Sequence, residues 1–176
     1  MSRLRVMLLA ASLCAAAGSA AAENELTPRR GELNCGSSLV TALSMCYGDS
    51  RLCARETLTF RRPGGSTVLA PHPRTENHRA PAGGKVAALD YRATSWACTA
   101  GATGGRYVAV IMVRTNGVDC GECQYIRLYH PEGQVIATTL KFDAAGRPSE
   151  DAQGTALIKE ILGRPWPEGL KLIYYR

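Results

Sequence analysis

Two cysteines three residues apart, Cys120 and Cys123 in the run Asp-Cys-Gly-Glu-Cys, form the sharpest chemical motif in the chain. Such a pair serves one of three ends: thiol–disulfide exchange, metal ligation or a structural staple. Exchange wants the first cysteine at a helix N-terminus, where the helix dipole lowers the thiol pKa. Here Thr-Asn-Gly-Val-Asp precedes the pair and a β-rich run follows it. Asp119 and Glu122 put negative charge beside the sulfurs, which raises a thiol pKa and slows attack. Zinc wants a second close pair of cysteines or histidines, and Cys46 and Cys53 are spaced too widely for a zinc ribbon. A staple across a strand bend is the expectation that remains.

His72, His78 and His130 are the three histidines. No His-Glu-x-x-His motif occurs, and no two histidines are spaced i, i+4. A solvated surface ring is the default for each. The functional reading places them on a recognition surface, or pairs a loop histidine with a serine. Ser37 and Ser38 follow Gly36 but lack the Gly-x-Ser-x-Gly elbow of a hydrolase. Gly104-Gly105 lacks dinucleotide spacing, no glycine-rich loop ends in Lys-Ser or Lys-Thr, and Asp143 to Asp151 lacks calcium-loop spacing. No metal and no cofactor is therefore expected. Tyr125 and Tyr129 fall on one face of a predicted strand. They either pack in the core or present an aromatic recognition face.

These residues need elements to hold them, and the chain opens with a segment that is not one. Arg3 and Arg5 precede an apolar run from Val6 to Ala17, followed by small residues at Ala20-Ala21-Ala22. That order is a secretory signal peptide over residues 1–22, too short to anchor in a bilayer. Leu13 before Cys14 argues against a lipoprotein. Losing Arg3 and Arg5 lowers the formal charge from +6 to about +4. No later stretch is long and apolar enough to span a membrane. Arginines between Arg29 and Arg92, among them Arg51, Arg55, Arg61, Arg62, Arg74 and Arg79, carry the basic excess. Aromatic residues are scarce among them, which argues against nucleic acid and leaves an acidic partner as the alternative to a bland basic surface.

With Cys14 removed, six of the seven cysteines remain, an even number that reads as disulfides in an exported chain. Cys35 and Cys46 would be about 16 Å apart on a helix, beyond the roughly 7 Å that a disulfide tolerates. Cys46 can meet Cys53 across a turn at Gly48-Asp49, Cys120 can meet Cys123, and Cys35 is left for Cys98.

In order, residues 23–33 read as a loose arm, and residues 34–176 as a single α+β domain. Asn34 can cap a helix over Cys35–Tyr47, with Cys35, Leu39, Leu43 and Cys46 on one face. A hairpin follows, turning at Arg62–Gly65, and then a long loop over Pro71–Gly84, rich in proline and glycine. Lys85 to Cys98 is β-rich, and Tyr107 to Leu140 reads as a three-strand meander with Cys120 and Cys123 at its first bend. Ser149 can cap a second helix ending at Gly163, and a last strand runs from Leu170 to Tyr175. The expected fold is a disulfide-stabilised, mainly antiparallel sheet with one helix near each end of the domain.

The functional expectation is a periplasmic or secreted binding protein, acting on a protein partner as an inhibitor, immunity-type or envelope accessory factor. Its candidate surface holds Tyr125, Tyr129, His72, His78 and His130. The alternatives are a small exported hydrolase-like enzyme with a non-local site, and a thiol–disulfide protein using Cys120 and Cys123.

Overall fold

The structure is a computed structural model that describes residues 25–48, 50–65, 67–70, 75–79, 83–115, 124–145 and 147–173. The signal segment, His72, Cys120, Cys123 and Tyr175 lie outside the described residues. Two antiparallel sheets pack face to face. The first holds β1 (Leu26–Cys35), β2 (Ser38–Tyr47), β3 (Cys53–Arg61) and β4 (Thr67–Ala70) in that order. The second holds β7 (Tyr91–Ala100), β8 (Arg106–Arg114), β9 (Gln124–Tyr129), β10 (Val135–Thr138) and β13 (Lys171–Leu172), ordered β10-β9-β8-β7-β13. Two short pairs accompany them, β5 (Thr75–Arg79) with β6 (Lys85–Leu89), and β11 (Leu140–Phe142) with β12 (Pro148–Glu150). A single helix among the described residues, α1 (Ala152–Leu162), lies against the second sheet.

The helix expected over Cys35–Tyr47 is replaced by a hairpin. Gly36, at φ +64°, and Ser37 turn β1 into β2, with Cys35 opposite Ser38 and Leu26 opposite Tyr47. The loose arm expected over residues 23–33 is, from Leu26 onward, the strand β1. The helical reading fails because β2 carries apolar residues on both faces. Ser38, Val40, Ala42, Ser44 and Cys46 point inward and are buried, while Leu39, Leu43 and Met45 point outward. The small, partly polar inward set hides the period-two alternation that marks a strand. The supposed apolar helix face is thus a mixture of two sheet faces. Part of the long loop expected over Pro71–Gly84 is also paired, since β5 matches Thr75 with Leu89 and Arg79 with Lys85.

Between the sheets, Val40, Ala42, Leu58 and Phe60 meet Tyr91, Trp96, Val108, Val110, Met112, Tyr125 and Tyr129. Aromatic rings lock this layer, with Phe60 and Tyr129 centroids 5.1 Å apart and Tyr91 edge-on to Tyr125 at 5.2 Å. One carboxylate is built into it. Glu56, 4 % exposed, accepts from the Ser44 hydroxyl at 2.6 Å and from the Ala93 backbone N–H at 2.8 Å, where β7 bulges. It therefore ties β3 of one sheet to β7 of the other with charge-assisted bonds.

The other face of the second sheet, Ala109, Ile111, Ile126 and Leu128, is covered by Ile158 and Leu162 of α1. Asp151, rather than Ser149, caps the helix by accepting from the Gly154 N–H at 3.0 Å. Gly154 lets the helix lie directly on β10, because a Cβ there would collide with the Thr138 carbonyl oxygen. Gly163, at φ +68°, ends it in the left-handed conformation. The three-strand meander expected over Tyr107–Leu140 is present as β8, β9 and β10.

Candidate functional site

Two disulfides fix the ends of the first sheet. Cys35 joins Cys98, linking β1 to β7 across the sandwich with Cα atoms 5.1 Å apart. Cys46 joins Cys53 across the β2–β3 hairpin, with Cα atoms 3.7 Å apart. Cys35 cannot reach Cys46 in the hairpin, because Cys46 lies opposite Thr27 at the far end.

At the Cys35–Cys98 end, four turns converge. They are the Gly36-Ser37 turn, the Arg62–Gly65 turn after β3, the Gly101–Gly105 turn before β8, and the Pro131–Gln134 turn after β9. Three of them close on their own backbone bonds, such as Gly65 N–H to the Arg62 carbonyl at 3.2 Å and Gly101 N–H to the Gly105 carbonyl at 2.7 Å, and the first is closed by the pairing of Cys35 with Ser38. Together they line an open cleft of about 500 Å³. Its walls include Ser37, Ser38, Arg62, Arg106, Tyr107 and His130. The Tyr107 ring stands edge-on to His130, with centroids 6.0 Å apart. The Gly101–Gly105 turn is also tied to α1: the Ala102 N–H donates to the Ile161 carbonyl at 2.8 Å.

The charge in the cleft is unbalanced. Arg62 meets Glu132 at 3.4 Å, with both side chains open to solvent, a geometry worth at most about 1 kcal/mol. The second guanidinium, on exposed Arg106, rests 3.8 Å from Cys98 Sγ. Among the described residues, two arginines thus face one carboxylate. Ser37, Ser38 and His130 share the cleft, yet among the described residues no hydrogen bond joins either serine hydroxyl to His130. Among the described residues, no three His, Cys, Asp or Glu side chains are grouped to hold a metal ion.

The residues singled out in the sequence are dispersed. His130 lies in the cleft and is exposed. His78 sits in β5, opposite Val86 in register. Tyr125 and Tyr129 form no surface, being 1 % and 0 % exposed within the core. Burial pushes both hydroxyls above the usual phenol range, and nearby Arg127 opposes that rise. Arg62 was legible only as part of a basic excess and the two serines only as a failed motif, and Arg106 was not singled out. Their convergence depends on turns distant in sequence.

A second surface runs away from this cleft. The outward row of β2, Leu39, Leu43 and Met45, is flanked by Arg30 on β1 and by Arg55 and Arg61 on β3. Leu43 is 42 % exposed, and Arg30, Arg55 and Arg61 are exposed as well. Arg30 pairs with Glu32 on its own strand, whereas among the described residues no acidic side chain pairs with Arg55 or Arg61. Leu39 adjoins Ser38 and Arg61 adjoins Arg62, so this face begins at the rim of the cleft. No helix among the described residues is long and apolar enough to cross a membrane. Comparison of the chain with protein-family models, curated proteins and solved structures finds no match.

Proposed function

We propose that this chain is an exported binding protein whose recognition end is the turn-lined cleft, and that the cleft receives an acidic group of a protein partner. The observation that carries the reading is the convergence of four turns from both sheets over the Cys35–Cys98 bond, leaving Arg62 and Arg106 against Glu132, the one carboxylate lining the cleft among the described residues. Short turns held by backbone bonds and a cross-sheet disulfide present a rigid surface, and a rigid surface loses little entropy on binding. An excess of guanidinium groups steers and orients an acidic partner. The two disulfides suit an oxidising compartment, and a leading segment with a charged start, apolar run and small-residue end is the form of an export signal. The periplasm or the cell exterior is the compartment that this reading assigns.

The test is capture from envelope extract by the immobilised protein and by an Arg62→Glu/Arg106→Glu variant. The reading expects a partner that the wild-type protein retains and the variant loses at least tenfold, in a salt-dependent manner. Equal retention by both proteins contradicts it. A hydrolase reading keeps one specific observation, the presence of Ser37, Ser38 and His130 in one cleft. Turnover of an ester substrate that His130→Ala abolishes would favour it over binding.

A further inference from the structure

We infer that the outer face of the four-stranded sheet, along the Leu39–Leu43–Met45 row, docks an amphipathic helix of a protein partner whose apolar stripe carries acidic side chains along the edge that meets β3. This rests on the binding reading above and names what the partner presents. Three features of the molecule select that occupant.

The first is the molecule's own answer to the same problem. The second sheet also has an apolar outer face, and the element that covers it is a helix, α1, through Ile158 and Leu162. Sheet faces of this kind are closed by layered packing of a helix stripe. Over the first sheet, Leu43 is 42 % exposed, and no element among the described residues lies across it. The second feature is charge. Arg55 and Arg61 lie on one side of the row with no acidic partner among the described residues, whereas Arg30 on the other side is paired with Glu32, so the unbalanced basic charge lies on the β3 flank. Acidic side chains on the edge of an apolar helix stripe that lies over β3 meet that flank, and basic ones are repelled.

The third feature is size and continuity. From Leu39 to Tyr47 the row extends about 26 Å at roughly 3.3 Å per residue. A helix of about 17 residues has the same length at 1.5 Å per residue. The far end is closed by Tyr47, whose hydroxyl donates to the Ala87 carbonyl at 3.0 Å, and the near end opens onto the cleft rim at Ser38 and Arg62.

The experiment titrates the purified protein with two synthetic peptides of about 18 residues. Both carry a leucine stripe at i, i+3, i+4 and i+7; one is flanked by glutamates and the other by lysines. Binding is followed by calorimetry. The inference expects saturable one-to-one binding of the glutamate peptide and at least tenfold weaker binding of the lysine peptide. Leu43→Asp, and separately Arg55→Glu/Arg61→Glu, should each weaken the glutamate peptide at least tenfold while the thermal melt is retained. Arg62→Glu/Arg106→Glu should leave peptide affinity within about threefold, so a failure of the cleft reading and a failure of this one are told apart. Equal affinity for both peptides, no binding of either, or insensitivity to Leu43→Asp overturns the inference. A self-associated protein that Leu43→Asp converts to monomer also overturns it, because the face would then belong to a second copy.

Discussion

The two sheets carry apolar residues on both of their faces, but they dispose of the outer ones differently. On the second sheet, Ala109, Ile111, Ile126 and Leu128 lie beneath α1, and Ile158 is 1 % exposed. On the first, Leu39, Leu43 and Met45 face outward between arginines, and Leu43 is 42 % exposed. The helix side is built for permanence. Gly154 removes the one Cβ that would hold the helix off β10, and Asp151 and Gly163 fix its two ends. The open side has neither a cap nor a close-packing glycine. The contrast separates apolar surface that holds the fold together from apolar surface available for a partner.

The largest expected effect tests the bond between the two sheets. The Cys35–Cys98 disulfide closes a sequence separation of 63 residues and joins β1 to β7. Its removal by Cys35→Ser/Cys98→Ser should cost about 4 kcal/mol by loop entropy. The Cys46–Cys53 bond closes a separation of only 7 within one sheet, and its removal should cost about 2 kcal/mol. Chemical denaturation of both double variants checks the order. A reversed order would mean that the sheets are joined chiefly by something else.

Next in size is the contrast itself. Ile158→Ala uncovers the second sheet and should cost about 3 kcal/mol, as buried large-to-small changes do. Leu43→Ala on the first sheet should cost under about 0.5 kcal/mol, as surface changes do. Equal costs would break the distinction between a covered and an open face. Glu56→Ala comes third, at about 2 kcal/mol, because it leaves the Ser44 hydroxyl and the Ala93 N–H without their buried acceptor.

A further small effect concerns Tyr125. Its hydroxyl is buried without a hydrogen-bond partner among the described residues, so Tyr125→Phe should change stability by less than about 1 kcal/mol at pH 7. Burial raises its pKa above the unfolded phenol value of about 10. The neutral form is therefore the one the fold favours. Stability from this group is fully present below about pH 10 and is lost as pH rises beyond it. Denaturation measured between pH 9 and pH 11 should fall more steeply for the wild type than for Tyr125→Phe.

The sequence carries the second sheet better than the first, for a physical reason. The meander of β8, β9 and β10 and the stop of α1 at Gly163 stand out because turns and an end-capping glycine punctuate long, regular runs. In β2, Ser38 and Ser44 point inward, and Ser44 is satisfied there by Glu56 from another strand. That partnership is non-local, so a local pattern reads helix. The outward Leu39 and Leu43, which mislead the helical reading, are the same residues that form the open face. The cleft was hidden for a related reason. His130 could be named as a candidate from its type, but Arg62, Arg106 and Ser38 come together only when both sheets are folded. Tyr125 and Tyr129 share a face as their spacing demands, and only the packing of the two sheets decides that this face is the core.

Solvent paramagnetic relaxation of the side-chain methyl groups, using a neutral soluble nitroxide, tests the central contrast most directly. The account predicts strong relaxation of the Leu43 and Met45 methyls and weak relaxation at Ile111, Ile126 and Ile158. If Leu43 and Met45 are as protected as Ile158, the first sheet is already covered by the chain or by a second copy, and the open docking face does not exist.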